Sequence, residues 1–350
     1  MSSPLRISVV IATYNRRTIL ARTLPTLFAQ DFPHDDYEVI VVVDGSTDGT
    51  LGFLHNLKSS SALHVLQQPN RGQAAARNQG LRAARGELVL FLDDDILCER
   101  TLLREHAAAH QGGSPRLVFR PVHVARDSLP TLATDWARAC TDGYLARLAW
   151  EREPRWPDDA MVDANSSAPR ATLLACGGFD ESFYGAQEDG ELGVRLWKAG
   201  VRFQYQPAAV THQLYVKSAR ELVSNDTKWY GKNEVRLCRK HPDCRIYSPL
   251  AQLSEGPLWK RLRREVAMWS SVSLEPLLRA PFWVAERLRS VPQIRRTGIR
   301  LLQARQAIVM YRSVVREVGS HRALRAEFGM HLPVLLYHRV EPRGRVLIPS

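Results

Sequence analysis

Four apolar runs within the first hundred residues constrain the fold of this chain more than any other feature, because each ends in polar chemistry and the first three lead into segments of helical period. RISVVIAT is followed by an amphipathic stretch from Thr18 to Ala29, YEVIVVVD by Gly49 to Leu57, and ALHVLQ by Gln73 to Ala84, while ELVLFLD closes the series. Strands alternating with helices of this length imply a mostly parallel sheet with helices on its faces. In such sheets ligands bind outside the carboxyl ends of the strands. The residues at those ends are Thr13-Tyr14-Asn15-Arg16, Asp44-Gly45-Ser46, Asn70-Arg71-Gly72 and Asp93-Asp94-Asp95, and they would converge on one edge.

The aspartate triplet is the most demanding of these ends. Leu88 to Leu92 read as a buried strand, yet three mutually repelling carboxylates follow at once. That arrangement is tolerable if alternate residues share a cation, or if water screens the site. Mg²⁺ and Mn²⁺ suit the first case, since they take one or two carboxylates plus substrate phosphates and keep waters elsewhere. Strand alternation would direct Asp93 and Asp95 to one side and leave Asp94 a structural residue. The glycines in DGSTDGT and NRGQAAARNQG permit tight strand-to-helix turns whose N–H groups suit a diphosphate. Asp48, before Gly-Thr, reads as an ordinary N-cap. Asp44 ends a Val/Ile run where a buried carboxylate needs partners, and it can accept hydrogen bonds from a base or a ribose.

A second acidic cluster lies in GAQEDGELGVRLWKAG, residues 185–200, where Glu188, Asp189 and Glu191 open an amphipathic helix. Acids favour any helix N-terminus, and a carboxylate held there can equally serve as a general base. Further on, VRFQYQPAAVTHQ places His212 at the end of another strand-like run. His34, His64, His106, His110 and His123 have no comparable context and read as structural.

Taken in order, SVVIATYNR, VVVDGSTDGT, NRGQAAARNQGLRAARGELVLFLDDD and GGFDESFYGAQEDGELGVRLWKAG resemble the family-2 inverting glycosyltransferases of the GT-A fold, over about Ile7 to His212. The resemblance implies an α/β fold with a Rossmann-like, mostly parallel sheet. It implies metal-dependent transfer of a sugar from a nucleotide-diphosphate sugar, UDP-sugars foremost, to a hydroxyl of a glycan or lipid-linked acceptor. A role in cell-surface polysaccharide or glycolipid assembly follows. By the same resemblance Asp95 and Asp93 would hold a divalent cation (Mg²⁺ or Mn²⁺), with Asp93 also near the ribose. Thr13, Tyr14, Arg16, Asp44, Arg71, Arg77 and Gly178 would bind the nucleotide sugar. Asp189 would be the base and Glu188 its companion near the acceptor. Asn165-Ser166-Ser167 corresponds to a stretch of small polar residues in the family. His212 would complete the metal site or touch the diphosphate, unless it is a structural histidine.

The formal net charge of +12 belongs to the end of the chain: residues 255–350 carry 18 Lys and Arg against 7 Asp and Glu, and residues 1–254 carry 30 against 29. A near-neutral body with a basic tail implies a catalytic unit with an anchoring or interaction segment. The expected division is a GT-A domain over 1–250, a basic amphipathic helical extension over 251–330 and a short tail over 331–350. WKRLRREVAMW, PFWVAERLRSV and IRLLQARQAIVMYRSVVREV set arginines against Trp259, Trp269, Trp283 and leucines. They would either lie at a membrane surface or pack on the body. LPVLLYHRVEP resembles the opening strand of polysaccharide deacetylases, but that family's paired Asp and HxxxH ligands do not follow, so no deacetylase activity is expected.

Five cysteines without CxxC spacing favour neither a disulfide framework nor a zinc site. The amino terminus reads as a first strand rather than a leader. A cytoplasmic protein, peripheral at the membrane through its tail, is the expectation. Two alternatives compete: a sugar nucleotidyltransferase, which would want a Gly-rich loop and Lys/Arg cluster where IATYNRRTIL stands, and a nonenzymatic membrane or nucleic-acid binder. Nucleic acid is not expected, because carboxylates at the binding edge would repel phosphate.

Overall fold

The computed structural model describes residues 5–328, apart from 113, 121, 152–161, 163, 224–226, 249 and 251–273. The segment around Trp259 and Trp269 and the deacetylase-like LPVLLYHRVEP therefore lie outside the described residues.

The expected alternation is present. Strands β1 (Ile7–Thr13), β2 (Tyr37–Asp44), β3 (Ala62–Gln68) and β4 (Leu88–Asp93) alternate with helices α1 (Arg17–Phe28), α2 (Thr50–His55) and α3 (Gln73–Ala83). All pair in parallel, with Ile7 of β1 opposite both Tyr37 and Leu88 and Asp44 opposite Gln68. β2 is buried along its whole length, as a strand covered on both faces must be. Side chains of β1 divide accordingly: Val9 and Ile11 join Leu20, Leu24 and Leu102 on one face, and Val10 joins Leu81, Phe91 and Leu192 on the other. Gly80 brings α3 onto the sheet, since a Cβ there would meet Val10 Cγ1 at 2.4 Å.

After the triplet the chain forms β5 (Ile96–Cys98), α4 (Leu102–Ala109), β6 (Arg116–Phe119), β7 (His123–Val124), α5 (Leu132–Glu151), β8 (Asn165–Pro169), α6 (Arg170–Ala175), α7 (Glu188–Lys198), β9 (Arg202–Tyr205) and β10 (Thr211–Gln213). The main sheet runs β3-β2-β1-β4-β8-β6-β9, and β8 is antiparallel to both its neighbours. A small second sheet, β5-β10-β7, sets Gln213 opposite Ile96, next to the triplet.

The described part of the basic tail packs on this body. After the single turn α8 (Ala219–Glu221) and α9 (Thr227–Lys240) come α10 (Leu274–Arg287), α11 (Pro292–Val318) and α12 (His321–Phe328). Phe282, Ala285 and Leu302 bury against Leu132 and Ala133 of α5, while Val314, Leu324 and Phe328 bury against Val235 of α9 and Leu250. Among the described residues no helix is long and apolar enough to cross a membrane.

Candidate active site

A pocket of about 280 Å³ opens at the carboxyl edge of β1, β2 and β4, lined by Thr13, Tyr14, Arg16, Asp44, Gln73, Asp93, Asp94, Asp95, Gln213 and Lys217 among others. Six of the residues expected to hold a nucleotide sugar or its cation thus share one cavity. Asp44 organises its wall, accepting from Gln68 Nε2 at 2.7 Å and from the backbone N–H groups of Arg71 and Gly72 at 2.8 Å each. Asn15, at φ 53°, accepts from the Thr47 N–H at 2.7 Å and ties the β1 turn to the β2 turn. Asp48 behaves as a cap, accepting from the N–H of Arg17 at the start of α1 and of Thr50 at the start of α2.

The triplet departs from simple alternation. β4 ends at Asp93 and the next two residues turn, so Asp94 also lines the pocket and accepts from Thr13 Oγ1 at 2.7 Å. The reading of Asp94 as a residue pointing away assumed strand geometry that stops one residue earlier. Burial pushes Asp95 up to about 7, helped by the neighbouring Asp94 and Asp93 charges. Burial also pushes Asp94 up to about 6, against the pull of Arg16 and the Thr13 hydroxyl. Gln213 Nε2 donates to both Asp95 oxygens, at 3.1 and 3.2 Å. Crowded carboxylates with raised pKa values form a hard-oxygen donor set suited to a divalent cation. Among the described residues no three His, Cys, Asp or Glu side chains form a complete metal cage, so substrate phosphates and water would supply the remaining ligands.

Arg77 connects this pocket to the second acidic cluster. Its guanidinium is buried, lies 5.3 Å from the Phe179 ring centroid, and donates to Asp93 Oδ1 at 2.7 Å and to Glu188 Oε1 at 3.1 Å. Burial opposes its charge, but Asp93, Glu188 and Asp189 outweigh that and raise its pKa. Burial and the adjacent Asp189 push Glu188 up to about 7, with Arg77 pulling the other way. Glu188 Oε2 is buried without a hydrogen-bond partner. Burial likewise raises Asp189 against the pull of Arg77. Glu191 differs: despite burial, bonds from His241, Arg195 and Lys240 hold it down at about 2, and its role is to tie α7 to α9.

Three expected residues stand elsewhere. The Arg71 side chain is half-exposed and pairs with Glu181 at 2.7 Å, although its backbone serves Asp44. Gly178 adopts φ +68°, and a Cβ there would sit 2.5 Å from Asn78 Oδ1, so it permits the close approach through which Asn78 bonds both the N–H and the C=O of Phe179. His212 bonds Glu99 at 3.1 Å and stacks on His123. Its neighbour Gln213 is the β10 residue that faces the triplet. Gln213 and Lys217 escaped the sequence reading because an isolated amide or lysine after a strand carries no spacing signal. His106, given no role, is fully buried between Asn165 Oδ1 and Ser167 Oγ, at 2.8 Å from each.

Comparison with known proteins bears on the family and the fold. The sequence profile described as Glycosyl transferase family 2 matches residues 8–152. The validoxylamine A glucosyltransferase of Streptomyces hygroscopicus subsp. jinggangensis is 33% identical over 262 residues, covering 67% of this chain and 61% of that one. The chain thus spans about three fifths of that relative's length. An uncharacterized glycosyltransferase of Bacillus subtilis, YfnE, is 38% identical over 291 residues, covering 68% of this chain and 73% of the relative. A mannosyltransferase from Pyrobaculum calidifontis, solved with GDP-Man and Mn²⁺, shares the fold at a TM-score of 0.53 and 19% identity, covering 89% of this chain and 88% of that one. A mostly parallel sheet with a polar pocket at its carboxyl edge, and these relatives, lead to one conclusion: the chain belongs to glycosyl transferase family 2 and has the GT-A fold.

Proposed function

We propose that the chain transfers a sugar, with inversion, from a nucleotide-diphosphate sugar held by the triplet pocket to an acceptor hydroxyl deprotonated by Asp189. The observation that carries this reading is Arg77, which joins Asp93 in the pocket to Glu188 beside Asp189, so that a donor end and a base end form one continuous charged cluster. Asp44 and Thr13 would meet the nucleoside, and Arg16 and Lys217 would face its phosphates. Asp93 and Asp95 would hold a divalent cation. When bound, that cation offsets the charge gathering on the departing nucleoside diphosphate. The mannosyltransferase of the same fold, solved with GDP-Man and Mn²⁺, supports both assignments.

In the transfer, the acceptor oxygen forms a bond to the anomeric carbon as the bond from that carbon to the diphosphate oxygen breaks. The hydroxyl proton passes to Asp189, whose raised pKa makes it a stronger base than an exposed aspartate. Glu188, fixed by Arg77, would position the acceptor. A glycan or lipid-linked hydroxyl in cell-surface assembly is the proposed acceptor class, and the basic tail would bring the enzyme to the membrane. Incubating the enzyme with UDP-, GDP- and dTDP-sugars, with Mn²⁺ or with EDTA, and following the anomeric proton by NMR, tests the reading. Mn²⁺-dependent release of product with inverted configuration is expected, and EDTA-insensitive or retaining turnover would overturn it.

A further inference from the structure

A second cavity shares no lining residue with the triplet pocket. It measures about 980 Å³ and lies between α9, α10 and α11. Its wall on α11 is a single stripe: Arg305, Ile308, Val309, Arg312 and Arg316 recur at helical spacing on one face. Lys228 and Lys232, four apart on α9, face the cavity, as do Arg220 of α8 and Arg279 of α10. The apolar part of the lining comes from Phe282, Trp283, Ile308 and Val309. Two acids also line it, and both serve other partners: Glu286 accepts from the Leu132 N–H at 3.0 Å, and Glu317 accepts from Arg236 at 3.3 Å.

Lys228, Lys232, Arg312 and Arg316 around an apolar floor call for an anion with a hydrocarbon part. Guanidinium forks match phosphate oxygens, and a cluster of like charge is relieved when such an anion enters. Size points the same way. A cavity at the top of the usual range for small-molecule sites far exceeds one phosphate and leaves room for a chain over Phe282 and Trp283. An independent feature adjoins it: α10 and the turn after it expose Leu277, Val284, Leu288 and Val291 at 66, 46, 46 and 42%, an apolar ridge along one side of the helix beside the 56%-exposed Trp283.

We infer that the cavity between α9, α10 and α11 is a second ligand site, for an amphiphile bearing a phosphate headgroup on a hydrocarbon chain. The site stands apart from the transfer reading and holds whether or not Asp189 is the base.

The test uses the full chain without donor. Isothermal titration with monomeric dodecyl phosphate should give saturable binding, and inorganic phosphate and dodecyl maltoside should each bind at least about tenfold more weakly. Arg312→Glu/Arg316→Glu should weaken dodecyl phosphate by about tenfold or more while nucleotide-sugar affinity stays at the wild-type value. If that pair fails to fold, the milder Arg312→Gln/Arg316→Gln carries the same comparison. Co-sedimentation with phosphatidylcholine vesicles containing phosphatidylglycerol separates the two sources. Loss of vesicle binding in the variants assigns the headgroup to a bilayer, and retention assigns it to a single lipid taken up from solution. Equal binding of inorganic phosphate, unchanged dodecyl phosphate affinity in both variants, or a single-stranded oligonucleotide that displaces dodecyl phosphate at lower concentration would overturn the inference.

Discussion

Arg77 donates from Nη2 to Asp93 at 2.7 Å and so links the two acidic clusters of this protein. Because the guanidinium also reaches Glu188 and is itself buried, its loss would strand carboxylates in a low-dielectric site. Arg77→Met should cost about 3–5 kcal/mol of folding stability, read by urea denaturation. Arg77→Lys, with a point charge in place of a fork, should not hold both acids and should fall between the two. Wild-type stability in Arg77→Met would mean that the bridge contributes nothing.

The triplet yields a sharper contrast. Asp95→Ala should abolish the Mn²⁺-dependent part of nucleotide-sugar binding, because its buried carboxylate shares the pocket with Asp93 and Asp94. Calorimetry with and without EDTA checks this. Donor affinity that is unchanged and insensitive to EDTA in the variant would remove Asp95 from the cation site.

Buried His106 predicts an acid-sensitive fold. Desolvation lowers its pKa to about 4 in the folded protein, only partly opposed by its bond to Asn165. A depressed histidine is neutral when folded, whereas the unfolded chain takes up its proton below pH 6.5. Its contribution is therefore fully present above 6.5 and is lost as pH falls from 6.5 towards 4. The loss amounts to about 3 kcal/mol at the linkage slope for a single group. Glu191 has the complementary window: lowered to about 2, it adds stability above its ordinary 4.5 that disappears as pH falls through 2. Thermal unfolding from pH 8 to 4 should show the first limb, and His106→Gln should flatten it.

Gly178 offers a test of packing. A side chain at φ +68° against Asn78 would strain the backbone and break the bonds to Phe179. Gly178→Ala should be destabilised by about 1–3 kcal/mol. A melting temperature equal to wild type would contradict the close approach.

These cases also mark how far the fold and site are legible in the chain itself. The parallel strands β1–β4 are, because apolar runs of strand length alternate with helical period and end in glycine-rich turns. Convergence of Thr13, Asp44 and Asp93 follows from that order alone. Asp94 is misread because strand parity was extended one residue past the end of β4. His212 and Gln213 differ by one residue, and in a strand one residue is the difference between two faces. The second sheet rests on strands of two or three residues, too short for any periodic signal. The tail shows amphipathic helices, but amphipathicity does not say what the apolar face covers. The packing of Phe282 and Leu302 on α5 answers that for α10 and α11.

The central claim is that binding and chemistry are divided between the triplet and Asp189. Asp189→Asn keeps the side chain's shape while removing its basicity, so the decisive measurement is its kcat at saturating donor and acceptor, paired with its donor Kd. The account predicts an unchanged Kd and a kcat lower by roughly a hundred- to ten-thousand-fold. A wild-type kcat in Asp189→Asn would contradict it.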